Sequence, residues 1–221
     1  MRRYELIHTP KGLGLYLESS DTSQKPLIVD FSSGKLNFRK QKATTKNEAI
    51  AKAVGLKKGT PCTIIDATAG LGQDAFILAS LGAELILLER SAIVAALLRD
   101  GLDRLPHLDI RSRMHLIEID ACTYLGTLPP SDYPDVIYCD PMFPQRQKSA
   151  LVKKEMQYLQ AILDKEPIQS VFDTEQLLAL AIEKAKKRVV VKRPRLAPCL
   201  IGPKPNFNYL SKNNRFDIYL K

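Results

Sequence analysis

The 221-residue chain has little that suits a membrane, a secreted scaffold or a metal centre. No apolar run approaches the roughly 18 residues that a spanning helix needs. Behind the basic start Met1-Arg2-Arg3 comes no apolar stretch, so no secretory signal is expected. The four cysteines (Cys62, Cys122, Cys139, Cys199) are scattered without a CxxC pair. That disfavours a zinc site or a disulfide framework and predicts reduced, mostly buried thiols. Histidine is scarce, and His8, His107 and His115 stand apart from other potential ligands, so no metal is expected. There is no internal repeat and no low-complexity tract. These absences fit a cytoplasmic protein.

What is present is ordinary for a globular domain: 45% hydrophobic and 26% charged residues. The length suits one α/β domain with an appendage. Lysine and arginine number 33 against 24 acidic residues, a net charge of +9. Such a balance favours a polyanionic partner, nucleic acid or an anionic membrane surface, without choosing between them.

Residues 1–45 differ from the remainder. Short β-like runs, Leu13–Leu17 and Leu27–Phe31, alternate with Gly and Ser/Asp/Thr stretches, which predicts a small β-rich N-terminal element. The polar stretch Arg39–Lys46 reads as a linker or a basic contact surface. Asn47 is a candidate cap for a helix over Glu48–Val54 that stops at Gly55. From Cys62 onward, apolar runs at Thr63–Ala67, Leu85–Glu89, His115–Ile119, Asp135–Cys139 and Arg188–Lys192 alternate with helical patterns at Gln73–Leu81, Ala92–Leu98 and Glu175–Lys187; Arg215–Leu220 is a last strand candidate. Repeated strand–helix–strand units predict a parallel sheet covered on both faces, with residues 46–221 as one domain.

In such a sheet, ligands gather beyond the carboxyl ends of the strands. The first strand runs into Asp66-Ala67-Thr68-Ala69-Gly70-Leu71-Gly72-Gln73-Asp74. Gly70 and Gly72 permit a tight turn and close backbone approach, and the following helix presents free N–H groups. The second strand ends in Glu89-Arg90, where a carboxylate can accept both hydroxyl hydrogens of a ribose. The third ends in Asp120-Ala121, placed to meet an adenine edge, and the fourth in Asp140-Pro141-Met142-Phe143-Pro144. Each element has a plainer reading as a turn or helix cap. Their ordered recurrence at four strand ends favours a nucleotide-like cofactor.

The glycine spacing also fits a dinucleotide fingerprint, which keeps a nicotinamide oxidoreductase open. Against it, Asp66 puts an anion where a pyrophosphate would lie, which suits the ammonium and sulfonium of S-adenosylmethionine better. Asp140-Pro141-Met142-Phe143 resembles the [Asp/Asn]-Pro-Pro-[Tyr/Phe] motif of methyltransferases acting on exocyclic or amide nitrogens, with Met142 replacing the second proline. An aryl amine delocalises its lone pair into the ring. The Asp140 carboxylate and the Pro141 carbonyl, accepting its two hydrogens, would direct that lone pair at the methyl group, with Phe143 stacked on the base. A DNA adenine N6 or a protein amide would suit the same loop, and a catalytically idle RNA-binding assembly factor could retain the fold.

The segments Asp66–Asp74, Glu89-Arg90, Asp135–Pro144, Gln147–Met156, Arg188–Pro194 and Arg215–Tyr219 together resemble the bacterial ribosomal RNA small subunit methyltransferase J family, from about residue 60 onward. The resemblance implies a Rossmann-like seven-stranded methyltransferase sheet with helices on both faces. It implies methyl transfer from S-adenosylmethionine to the exocyclic N2 of one guanine in 16S rRNA of the small ribosomal subunit. It also implies cofactor contacts at Gln73-Asp74, Glu89-Arg90, Asp120-Ala121 and Asp140. Near the catalytic loop, Lys148, Lys153 and Lys154 are candidates for RNA contact. Of the basic residues around the fifth strand, Lys192 and Arg193 are the best candidates for gripping the backbone near the target.

Overall fold

The computed structural model describes residues 4–17, 25–32, 34–141, 158, 162 and 171–221. Strands β1 (Tyr4–Thr9) and β2 (Gly12–Leu17) form an antiparallel hairpin. Helices α1 (Gly34–Lys42) and α2 (Ala49–Val54) follow. Next come β3 (Thr63–Asp66), α3 (Gln73–Ser80), β4 (Glu84–Glu89), α4 (Ala92–Asp103), the short α5 (Leu108–Arg111), β5 (Met114–Glu118) and α6 (Ala121–Thr127). The chain continues through β6 (Val136–Cys139), α7 (Val171–Lys184), β7 (Arg188–Pro194), β8 (Phe207–Leu210) and β9 (Asn214–Leu220).

Seven of these strands make one sheet in the order β5-β4-β3-β6-β7-β9-β8. The first five run parallel, while β9 is antiparallel to both β7 and β8. Alternate strand residues enter opposite cores. Ile64, Leu85, Leu87, Val136, Tyr138 and Val190 face α2, α3 and α4. Ile65, Leu88, Ile137, Cys139, Val189 and Val191 face α6 and α7. Burial on both sides is why these strands read as short apolar runs rather than alternating ones. The chain departs from β3 toward β4 and β5, then returns to lay β6 on the other side of β3. The switch point thus falls between the carboxyl ends of β3 and β6, and Asp66 pairs in register with Tyr138.

The N-terminal segment is seated on this frame. Leu15 and Leu27 exchange two backbone hydrogen bonds of 2.9 Å, and Leu15, Val29 and Phe31 join the same core as α3 and α4. Gly101 makes the approach possible: a Cβ there would meet Val29 Cγ1 at 2.5 Å. Arg104 Nη2 donates to the Val29 carbonyl at 2.6 Å, and Asp100 Oδ2 accepts from Leu13 N at 2.9 Å.

Several local expectations change. Arg39–Lys42 belongs to a helix, α1, not a linker. Leu27–Phe31 forms a single bridge rather than a strand. Helix α2 takes Glu48 as its N-cap without a side-chain bond, because Asn47 Oδ1 already accepts from Thr44 N. Lys186 and Lys187 lie beyond the end of α7, and β1 and β8 are strands that the pattern did not announce. No helix among the described residues is long and apolar enough to cross a membrane.

Candidate active site at the switch point

Two glycines shape the turn after β3. Gly70 and Gly72 adopt φ of +53° and +70°, the left-handed region that side chains resist. A Cβ on Gly70 would meet nothing nearer than the Thr68 carbonyl at 3.9 Å, so the outer side of the loop is open to a ligand. Gly72 is closed on its inner side, where Leu98 Cδ1 would lie 2.7 Å from an added Cβ. Glu89, at the end of β4, ties this turn down: Oε2 accepts from Gly70 N at 2.9 Å and Oε1 from Ser91 N at 2.8 Å.

Beneath the turn, three carboxylates converge. Asp66 is 2% exposed and accepts from Thr68 N at 3.1 Å. Burial raises its pKa to about 8; the Thr68 N–H resists the shift, the charges of Asp74 and Asp140 add to it, and Lys192 opposes it. Asp140 follows β6, its N–H donating to Thr68 Oγ1 at 2.6 Å. Lys192, from β7, donates from Nζ to Asp140 Oδ2 at 2.7 Å and to Asp74 Oδ2 at 2.8 Å. Tyr138 OH also donates to Asp74 Oδ2 at 2.9 Å, and Arg39 Nη1 to Asp74 Oδ1 at 3.1 Å. Arg39 in turn grips Glu48 at 2.8 Å.

The electrostatics follow from this wiring. For Asp74, burial pushes the carboxyl upward, but Lys192, Arg39 and the Tyr138 hydroxyl outweigh it, and its pKa falls below the ordinary value. For Asp140, burial prevails: its pKa is raised, with Lys192 pulling it down and Asp74 pushing it up. Burial alone would favour neutral Lys192, yet the two carboxylates hold it protonated, with its pKa above the ordinary value. Tyr138 stays protonated because burial and the surrounding carboxylates both penalise its phenolate.

The expected residues do not all assemble in one place. Asp66, Gly70, Gly72, Asp74, Glu89 and Asp140 gather at the switch point, and Pro141 is buried beside them in sequence. Gln73 and Arg90 stand at their helix and strand ends, the first exposed and the second half-buried. Asp120 caps α6, its Oδ1 accepting from Thr123 N at 2.9 Å, with Ala121 buried behind it. Phe143, Lys148, Lys153 and Lys154 lie outside the described residues.

Asp74 accepts from Arg39, Tyr138 and Lys192 and so orders the site. One assignment is corrected. Lys192 and Arg193 are not a surface grip for RNA. The Lys192 ammonium is engaged by two carboxylates, and Arg193 is 3% exposed, donating from Nε and Nη2 to the Pro198 carbonyl at 3.1 and 2.6 Å. Arg39, Thr68 and Tyr138 were missed. Only the acid-free composition around Arg39 hinted at any of them. Among the described residues no group of three or more His, Cys, Asp or Glu is arranged to hold a metal ion.

A five-stranded parallel half-sheet with β9 inserted antiparallel, and a glycine turn opening at its switch point, is the frame of the S-adenosylmethionine-dependent methyltransferases. The family model SAM_MT, which describes SAM-dependent methyltransferases, matches residues 2–221. The chain is 47% identical over 220 residues to ribosomal RNA small subunit methyltransferase J of Coxiella burnetii, covering 97% of this chain and 82% of that one. It is 49% identical over 202 residues to the protein of the same name from Pseudoalteromonas atlantica, covering 88% and 76%. A crystal structure of a SAM-dependent methyltransferase from Neisseria gonorrhoeae superposes with a TM-score of 0.76 at 36% identity, covering 99% of this chain and 83% of that one. The chain belongs to the ribosomal RNA small subunit methyltransferase J family. It is therefore an S-adenosylmethionine-dependent methyltransferase.

Proposed function

We propose that this enzyme methylates the exocyclic N2 of a guanine in 16S rRNA of the small ribosomal subunit. The observation that carries the reading is the corner at the end of β6. There the Asp140 carboxylate is clamped through Oδ2 by Lys192, next to the Pro141 carbonyl. The names of the similar proteins support an RNA acceptor, and the net charge of +9 suits one.

The residues fit the cofactor. The outer side of Gly70 is open, Asp66 offers a buried carboxyl toward a cationic group, and Glu89 stands where ribose hydroxyls would donate. Gly72, Gln73, Arg90 and Asp120-Ala121 complete the proposed wall, the last pair beside the adenine. When bound, S-adenosylmethionine supplies an electrophilic methyl carbon on a sulfonium. Toward the other reactant, Asp140 Oδ1 and the Pro141 carbonyl accept the two N2 hydrogens and turn the amine lone pair toward that carbon, with Phe143 proposed to stack on the base. As the new N–C bond forms and the S–C bond breaks, one N2 proton is released. Asp140 Oδ1 takes it and hands it to solvent, a task its raised pKa suits. Lys192 keeps the carboxylate oriented throughout.

The test is incubation of undermethylated small subunits with methyl-labelled S-adenosylmethionine, followed by nucleoside analysis. Label in N2-methylguanosine of 16S rRNA is expected. Asp140→Ala should lower kcat by about 10²- to 10³-fold while S-adenosylhomocysteine still binds. A folded, cofactor-bound protein that leaves rRNA unlabelled, or labels an adenine or a protein amide instead, overturns the assignment. Full biological function retained by Asp140→Ala would point to an assembly factor.

A further inference from the structure

The stretch 34–47 holds five cations, Lys35, Arg39, Lys40, Lys42 and Lys46, and no acidic residue. Helix α1 spends two of them inward. Arg39 grips Glu48 and Asp74, and Lys40 Nζ lies 2.8 Å from His107 Nε2. Leu36 packs against the core and completes the anchorage. The adjoining outer flank of the helix, at i, i+3 and i+7, carries Lys35, Phe38 and Lys42, all exposed. Phe38 leaves 57% of its surface in solvent, with Lys42 Nζ 4.3 Å from its ring centroid.

This face is tied to the reaction corner. Phe38 adjoins Arg39, whose guanidinium holds Asp74; Asp74 holds Lys192, and Lys192 holds Asp140. A rigid aromatic ring flanked by ammonium groups is the pattern that single-stranded nucleic acid rewards, bases stacking on the ring while phosphates meet the cations. A protein surface would have to supply the carboxylates that such a face demands, whereas an RNA strand brings a negative charge with every nucleotide.

We propose that the outer face of α1 is a docking platform for the substrate RNA. Phe38 stacks on an unpaired base near the target, and Lys35 and Lys42 contact neighbouring phosphates. The proposal rests on the RNA-methyltransferase reading and adds the surface that seats the strand. The Arg39–Asp74 link then fixes that strand relative to Asp140.

The experiment compares wild type, Phe38→Leu, Phe38→Trp and the double variant Lys35→Gln/Lys42→Gln. Binding to a short guanine-containing single-stranded oligoribonucleotide and to protein-free 16S rRNA is followed by fluorescence anisotropy across a salt series. Stabilisation by S-adenosylhomocysteine reports folding and cofactor binding. Phe38→Leu should weaken RNA binding roughly 5- to 100-fold, Phe38→Trp should restore it, and the double variant should flatten the slope of log K against log salt by about 1.4. Cofactor stabilisation should match wild type in all three. Wild-type RNA affinity and salt slope in Phe38→Leu and the double variant, alongside active wild-type enzyme, overturn the platform. So does a loss seen with ribosomal particles but not with free RNA, which would mark a protein contact. A wild type that neither binds nor labels RNA instead removes the function itself.

Discussion

Lys192→Met removes the ammonium between Asp74 and Asp140 while keeping most of the side chain's length. In the native site Nζ bonds one oxygen of each carboxylate, at 2.8 and 2.7 Å, so those oxygens stand within the combined length of the two bonds. At a separation of about 5 Å and an effective dielectric of about 20, two unscreened carboxylates repel by about 3 kcal/mol. Asp140 keeps 39% of its side chain exposed and regains part of its hydration, which reduces the net loss to about 2–3 kcal/mol. For a domain of this size that lowers Tm by roughly 5–10 °C in calorimetry. Repulsion is relieved when Asp140 takes up a proton, and a neutral carboxyl is a poorer acceptor for the amine hydrogens. The acid limb of the kcat profile should therefore move to higher pH, with kcat at neutral pH down about 10- to 100-fold and partly recovered in alkali. The RNA salt slope should stay as in wild type. A variant with unchanged Tm and pH profile but a flatter salt slope would refute the reasoning and return Lys192 to the RNA backbone.

Asp66 makes stability depend on pH. Below about 4 both folded and unfolded chains hold its proton; between about 4 and 8 the unfolded chain releases it while the folded one keeps it. The folded state then binds more protons, so this group's contribution falls as pH rises across that window. Asp66→Asn should flatten that part of the curve in urea melts at successive pH values; an unaltered slope would show that Asp66 ionises freely. Glu89→Gln weakens the acceptor for Gly70 N and Ser91 N and for the proposed ribose hydroxyls. It should cost about 1.5–3 kcal/mol of S-adenosylhomocysteine affinity by calorimetric titration, with RNA binding intact. Gly72→Ala meets both the positive φ and Leu98 Cδ1. A loss of about 1–3 kcal/mol in denaturant unfolding is expected, and a neutral result would mean that the turn tolerates a side chain.

The parallel strands were legible because double-sided burial writes each as a compact apolar run with punctuation after it. Their ends were legible because Gly70, Glu89, Asp120 and Asp140 recur there in order. Helix α1 was not legible, since only Leu36 packs against the core and its place depends on Arg39 meeting Asp74 across 35 positions. An ion pair between distant segments leaves no periodicity to read. Strand β8 is a four-residue edge, mostly exposed, and so lacks the alternation that marks a half-buried strand. Lys192 was misread because Arg193 and Arg195 made it part of a basic run. In a strand, neighbours point to opposite faces, and that alone separates Lys192, at the carboxylates, from Arg193, buried against the Pro198 loop.

The chain of pairs Glu48–Arg39–Asp74–Lys192–Asp140 alternates in sign from end to end and begins and ends on a carboxylate. Three anions against two cations leave the row one net negative charge, and one of its two terminal carboxylates, Asp140, stands at the proposed reaction corner. Such an imbalance attracts a sulfonium more strongly than the neutral thioether left after transfer. If Asp140 acts as proposed, the same wiring that orients it also favours the charged cofactor over the spent one through charge alone.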